Sequence, residues 1–117
     1  DELLLPALAV GAKGAVGSTY NFAAPLYIRV MELFNQGNIV EAQRLQLLLV
    51  KMVREMVKFS PIPSQRAIMD ILGYPMGPTR LPLVPLRPEE KEQLASRLEA
   101  IGFLDALNKV KYTNHEA

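Results

Sequence analysis

Apolar residues along this chain come in blocks whose spacing changes, and the spacing names the elements. Leu3 to Val10 is apolar at nearly every position, which predicts a helix buried on more than one face. Pro6 fits its first turn, and Gly11 reads as the residue that ends it. Ala15 to Tyr20 is short, with β-branched and aromatic residues at Val16, Thr19 and Tyr20, and predicts a buried strand. Helix, brief connection and strand together make the αβ step that repeats around an α/β barrel.

The next block opens at Pro25 and stops at Gly37, with Leu26, Val30, Leu33 and Phe34 on the inner face. Asn38-Ile39-Val40-Glu41 then has capping-box spacing, with Asn38 as N-cap and Glu41 reaching back. It opens a helix over Ile39 to Lys58, carrying Ala42, Leu45, Leu49, Met52, Val53 and Met56 on one face. Leu47, Leu48 and Val50 widen that face, so the helix is expected between layers. A further helix runs from Pro63 to Leu72 and ends at Gly73.

From Tyr74 to Pro88, prolines at 75, 78, 82, 85 and 88 remove donors and forbid a long helix. This reads as an extended strap. Pro88 then starts an amphipathic helix through Ala100, with Glu89 and Glu90 at its positive end and Leu94, Leu98 and Ile101 inward. Gly102 breaks it, and Phe103 to Lys109 is one more short helical piece. No internal repeat is present, and after Tyr20 no further strand is expected.

Composition narrows the function classes. Thirteen basic against twelve acidic residues give a formal charge of +1, which offers no footprint for nucleic acid or an anionic membrane. With no cysteine there is no disulfide, thiolate metal site or cysteine nucleophile, in keeping with a reducing, cytoplasmic setting. The single histidine, His115, lies in a polar terminal stretch where fraying is expected, so neither a zinc site nor a Ser-His triad is anticipated. No cofactor is called for. The apolar run Leu45 to Val50 is bounded by Arg44 and Lys51 and is far short of the ~20 residues a bilayer needs. The chain opens on Asp1-Glu2 without a methionine, which reads as a piece of a longer polypeptide.

Several groups invite chemistry. Asp1 and Glu2 are either a charged helix start or carboxylates at the carboxyl end of a barrel strand, placed to accept hydrogen bonds from substrate hydroxyls. Residues 11–18, Gly-Ala-Lys-Gly-Ala-Val-Gly-Ser, lack the Gly-Lys-Ser/Thr ending of a phosphate loop and precede the strand, so their glycines read as turn and close-packing residues. Ser18 is either a buried hydroxyl or one facing a ligand. Pro82-Leu83-Val84-Pro85-Leu86-Arg87 matches a Pro-x-x-Pro-x-Arg recognition pattern, but its apolar residues favour a strap packed on its own domain. None of the lysines at 13, 51, 58, 91, 109 and 111 has the desolvated setting a Schiff-base lysine needs. The methionines at 31, 52, 56, 69 and 76 read as packing.

Taken together, Asp1-Glu2 with its apolar helix, Gly11-Ala12-x-Gly14, and Gly17-Ser18-Thr19-Tyr20-Asn21 resemble the pyruvate-dependent class I aldolases of the N-acetylneuraminate lyase branch. Ala67-Ile68-Met69 and the strap Pro75-Met76-Gly77-Pro78-Thr79-Arg80-Leu81-Pro82-Leu83 support it. The resemblance implies an α/β chain forming the C-terminal part of a TIM (β/α)8 barrel, which needs about 250 residues when complete. Residues 1–37 would end the barrel, with Ala15–Tyr20 as the eighth strand and Pro25–Gln36 as the eighth helix. Residues 38–117 would be a helical extension carrying the strap at 74–88. It also implies reversible cleavage of N-acetylneuraminate to N-acetylmannosamine and pyruvate through a lysine Schiff base.

That lysine, the proton-relaying tyrosine and the carboxylate-binding loop belong to the missing N-terminal barrel segment, so no catalytic residue is expected in this chain. Asp1, Glu2 and Ser18 would bind the hydroxylated tail of a sugar-acid substrate. The family's assembly implies a homotetramer. Another pyruvate aldolase, including the dihydrodipicolinate synthase branch, and a noncatalytic helical interaction module are the alternatives.

Overall fold

A computed structural model describes residues 1–113, with side chains described through residue 110, so His115 lies outside the described residues. Six helices follow in order: α1 (Leu4–Ala9), α2 (Tyr20–Asn35), α3 (Ile39–Met56), α4 (Pro61–Ile71), α5 (Pro88–Ala100) and α6 (Phe103–Thr113). No strand occurs among the described residues. The expected strand at 15–20 is therefore corrected. Residues 12–17 are irregular, and Val16 is fully exposed. The physical reason is pairing: a strand is defined by a ladder, and no neighbouring strand occurs among the described residues to supply one.

The second correction concerns α2, which starts at Tyr20 and not at Pro25. Pro25 sits inside it. A proline there deletes only the bond to the carbonyl four residues back, and Asn21, which carries that carbonyl, is exposed. Starting early brings Phe22 and Ala23 into the core beside Leu26, Tyr27, Val30 and Leu33.

Punctuation elsewhere follows local chemistry. Gly11 at φ +100° closes α1, with the Ala12 N–H bonded to the Ala7 carbonyl at 2.9 Å, the wider loop of a Schellman ending. Asn38 caps α3 by accepting from the Glu41 N–H at 3.4 Å, but the box is only half made. The Glu41 carboxylate turns to Arg44 at 3.0 Å instead of reaching back.

Ridges of α3 meet all five other helices, so its expected place between layers is realised. Leu49 and Met52 are wholly buried at its centre. Phe103 docks α6 edge-on against Phe22 of α2, with ring centroids 6.5 Å apart. Leu94 and Leu98 bring α5 to the same core. The strap packs in part: Leu83 and Leu86 are half-buried, with Leu86 against the core, whereas Leu81 and Val84 stay exposed. Among the described residues, no helix is long and apolar enough to cross a membrane.

Candidate functional site

The acid pair Asp1-Glu2 enters α1 at one end of the α2–α3 pair, and two side chains from other elements hold it there. On one side, Asp1 Oδ2 accepts from the Thr19 N–H at 3.0 Å and from the Thr19 hydroxyl. Thr19 Oγ1 also lies 2.8 Å from the Tyr27 hydroxyl. A threonine hydroxyl has one proton, and here it goes to the carboxylate, so the Tyr27 phenol donates to Thr19. The result is a directed chain from Tyr27 to Thr19 to Asp1. Both Thr19 and Tyr27 are buried.

Burial pushes the Tyr27 phenol above its ordinary 10.0, outweighing the Thr19 hydrogen bond, which lowers it, while nearby Tyr20 and Glu2 add to the rise. Tyr20 is raised by burial too, and its ring lies 4.3 Å from that of Tyr27. The phenol thus stays protonated and remains a donor throughout the neutral range.

Gly17 completes this side. A Cβ built there would fall 1.7 Å from Asp1 Oδ1, so only glycine lets the carboxylate lie against the backbone. The glycine reading as a close-packing residue is realised at this position.

On the other side stands Gln46 of α3. Its Oε1 accepts from the Leu5 N–H at 2.9 Å, and its Nε2 donates to the carbonyls of Glu2 at 3.0 Å and Asp1 at 3.4 Å. Glu2 keeps an exposed side chain. Ser18, next to Thr19, is exposed as well, and its Oγ accepts from Gln65 Nε2 of α4 at 3.0 Å.

Asp1 is held on Thr19, the residue after Ser18, and Glu2 follows Asp1 toward the first turn of α1. They differ in freedom. Asp1 spends one carboxylate oxygen on Thr19, while Glu2 projects outward and Ser18 is shared with an amide that a ligand could replace. Thr19, Tyr27, Gln46 and Gln65 escaped the sequence reading. Gln46 had a visible signal: it stands four residues after Ala42 and three before Leu49, a polar residue on the apolar stripe.

The described lysines offer no nucleophile in a desolvated setting. Lys58 pairs with Glu55 at 2.7 Å, Lys109 with Asp105 at 2.8 Å, and Lys91 with Asp70. Lys13 and Lys51 are exposed. No group of three or more acidic or metal-ligating residues is set to hold a metal among the described residues. Concavities occur beside the acid pair, where Leu5 and Gln46 line one wall, and farther off against the strap. One is an apolar groove of about 430 Å³ between α1 and α3, the other a cleft of about 310 Å³ between α4 and the strap. Glu2 and Ser18 are exposed, and Asp1 is half-buried.

The sequence profile of the dihydrodipicolinate synthetase family matches residues 1–101. This chain belongs to that family. Its relatives include an N-acetylneuraminate lyase of Rhizobium meliloti, 37% identical over 87% of this chain and 33% of the relative. The N-acetylneuraminate lyase of Homo sapiens is 38% identical over all of this chain and 37% of its own. A 4-hydroxy-tetrahydrodipicolinate synthase of Synechococcus elongatus is 38% identical over 91% of this chain and 36% of that protein. Among solved structures, Proteus mirabilis N-acetylneuraminate lyase superposes with a TM-score of 0.81 at 36% identity, covering 88% of this chain and 35% of the other. Sulfolobus solfataricus 2-keto-3-deoxygluconate aldolase gives 0.84 at 25% identity, over 93% and 38%. The chain spans about a third of the length of these family members.

Proposed function

We propose that this chain is the C-terminal segment of a pyruvate-dependent aldolase and that it supplies the sugar-recognising wall of the site. The acid pair is the observation that carries this reading. What supports it is that Asp1 is anchored on Thr19, next to Ser18, while the neighbouring Glu2 and Ser18 are exposed. Hydroxyl donors of a polyol tail match such acceptors, and sites built on polar contacts discriminate strongly against substrates lacking the hydroxyls. N-acetylneuraminate is the substrate proposed, with cleavage to N-acetylmannosamine and pyruvate through a lysine Schiff base. That lysine comes from the N-terminal barrel segment, and this chain alone is inactive. Residues 1–37 then close the barrel and residues 38–117 form its helical extension, in an assembly proposed to be a cytoplasmic tetramer.

The likeness to a 2-keto-3-deoxygluconate aldolase at a TM-score of 0.84 favours one second reading, a different sugar acid on the same chemistry. Incubating the polypeptide that joins this segment to its upstream part with pyruvate, then reducing with borohydride, tests the mechanism. A stable lysine adduct upstream of Asp1 is expected, and its absence sinks the aldolase reading. Cleavage of N-acetylneuraminate in preference to 2-keto-3-deoxygluconate decides between the two substrates.

A further inference from the structure

Gln46 is 7% exposed and sits on the face of α3 that otherwise carries Ala42, Leu49 and Val53. A buried primary amide is costly in such a place unless its polar atoms are satisfied. All three of its hydrogen bonds go to one target, the backbone of Asp1, Glu2 and Leu5. The amide orientation follows from the partners: the Leu5 N–H can only donate, and the two carbonyls can only accept.

The target needs this help. Helix α1 has six residues, its N-cap is Leu3, and no side chain caps it. A leucine cannot accept the orphan N–H groups of a first turn. Gln46 takes one of them from 41 residues away and grips the two carbonyls just before the helix. Neither carboxylate is touched by it. What it fixes is the backbone from which both project.

We infer that Gln46 is a positioning residue that sets the placement of the Asp1 and Glu2 carboxylates, and through them the preference for a polyhydroxylated substrate. The inference deepens the proposed function and rests on it. It also assigns the helical extension a part in substrate selection, since α3 lies outside the barrel end on that reading.

The test uses the full-length polypeptide carrying this segment, with Gln46→Met, which keeps the volume and loses all three bonds. The readout is the ratio of kcat/KM for N-acetylneuraminate to that for a shorter 4-hydroxy-2-oxo acid without the polyol tail. A residue that only stabilises the fold lowers both values alike. The positioning role predicts a ratio lowered on the order of tenfold, carried mainly by KM, with the borohydride-trapped pyruvate adduct still forming. Gln46→Glu keeps the acceptor for Leu5 but sets an oxygen against the Glu2 carbonyl, and the ratio is expected to shift in the same direction. Should the methionine variant fail to fold, the glutamate variant carries the comparison. An unchanged ratio, whether both substrates lose activity together or neither does, overturns the inference while a wild-type adduct leaves the aldolase reading intact. No adduct in the wild-type protein overturns both.

Discussion

Asp1 and Thr19 define the finest scale on which this molecule is built. Their contact depends on a proton order, Tyr27 to Thr19 to Asp1, that holds only while the phenol is protonated. Burial raises the Tyr27 pKa in the folded protein, so folding is favoured fully below the unfolded value of about 10 and loses that contribution as pH rises through the folded one. Urea denaturation across pH 8 to 11 is expected to show stability falling on the alkaline side. Tyr27→Phe should flatten that limb and cost about 1 kcal/mol at neutral pH, the worth of one hydrogen bond. Gly17→Ala acts on the same contact. Its Cβ would fall 1.7 Å from Asp1 Oδ1, so the carboxylate must leave Thr19. A loss of about 1 kcal/mol is expected in the same denaturation assay, from the Asp1–Thr19 hydrogen bonding given up.

Helices show where local sequence is sufficient and where it is not. The start of α5 is written in Pro88 and Glu90, because a proline at the first position and a carboxylate reaching back to the Arg87 N–H at 2.9 Å are both local events. The buried faces of α3 and α5 were legible for the same reason: Leu49, Met52, Leu94 and Leu98 recur at helical spacing. Thr19 and Tyr20 misled because β-branched and aromatic residues favour a strand only where a second strand can pair with them. Without one, Tyr20 joins α2 and Thr19 turns its hydroxyl inward to Asp1. Gln46 could be flagged from its place on the stripe, but its partners lie more than forty residues away, and no local rule names them.

Contacts between elements carry their own pH signature. Glu55 of α3 accepts from Lys58 and from Arg97 of α5 at 3.1 Å. The Lys58 hydrogen bond is the leading cause that holds its carboxyl below the ordinary value. That contribution is present above the unfolded carboxyl pKa and disappears as pH falls through the lower, folded one. Acid titration of stability should therefore be shallower in Glu55→Gln than in the wild type.

At the scale of the whole molecule, the chain is a helical body with an unfinished end. Membership in the dihydrodipicolinate synthetase family, together with coverage of about a third of its relatives, gives the helices a context that they do not supply alone. On the proposed reading, the barrel strands upstream of Asp1 provide the ladder that residues 12–17 lack. Among the described residues, that stretch makes one backbone hydrogen bond, from the Ala12 N–H, and Lys13 within it is exposed beside Gly14. An exposed, unladdered loop with a basic residue is what a protease grips. Trypsin is expected to nick the isolated segment after Lys13 and after Arg80 of the strap, well before the arginines and lysines held on helices. Once the upstream strands are in place, the bond after Lys13 should resist. Survival of that single peptide bond then becomes a clock for assembly, readable on a gel without any substrate.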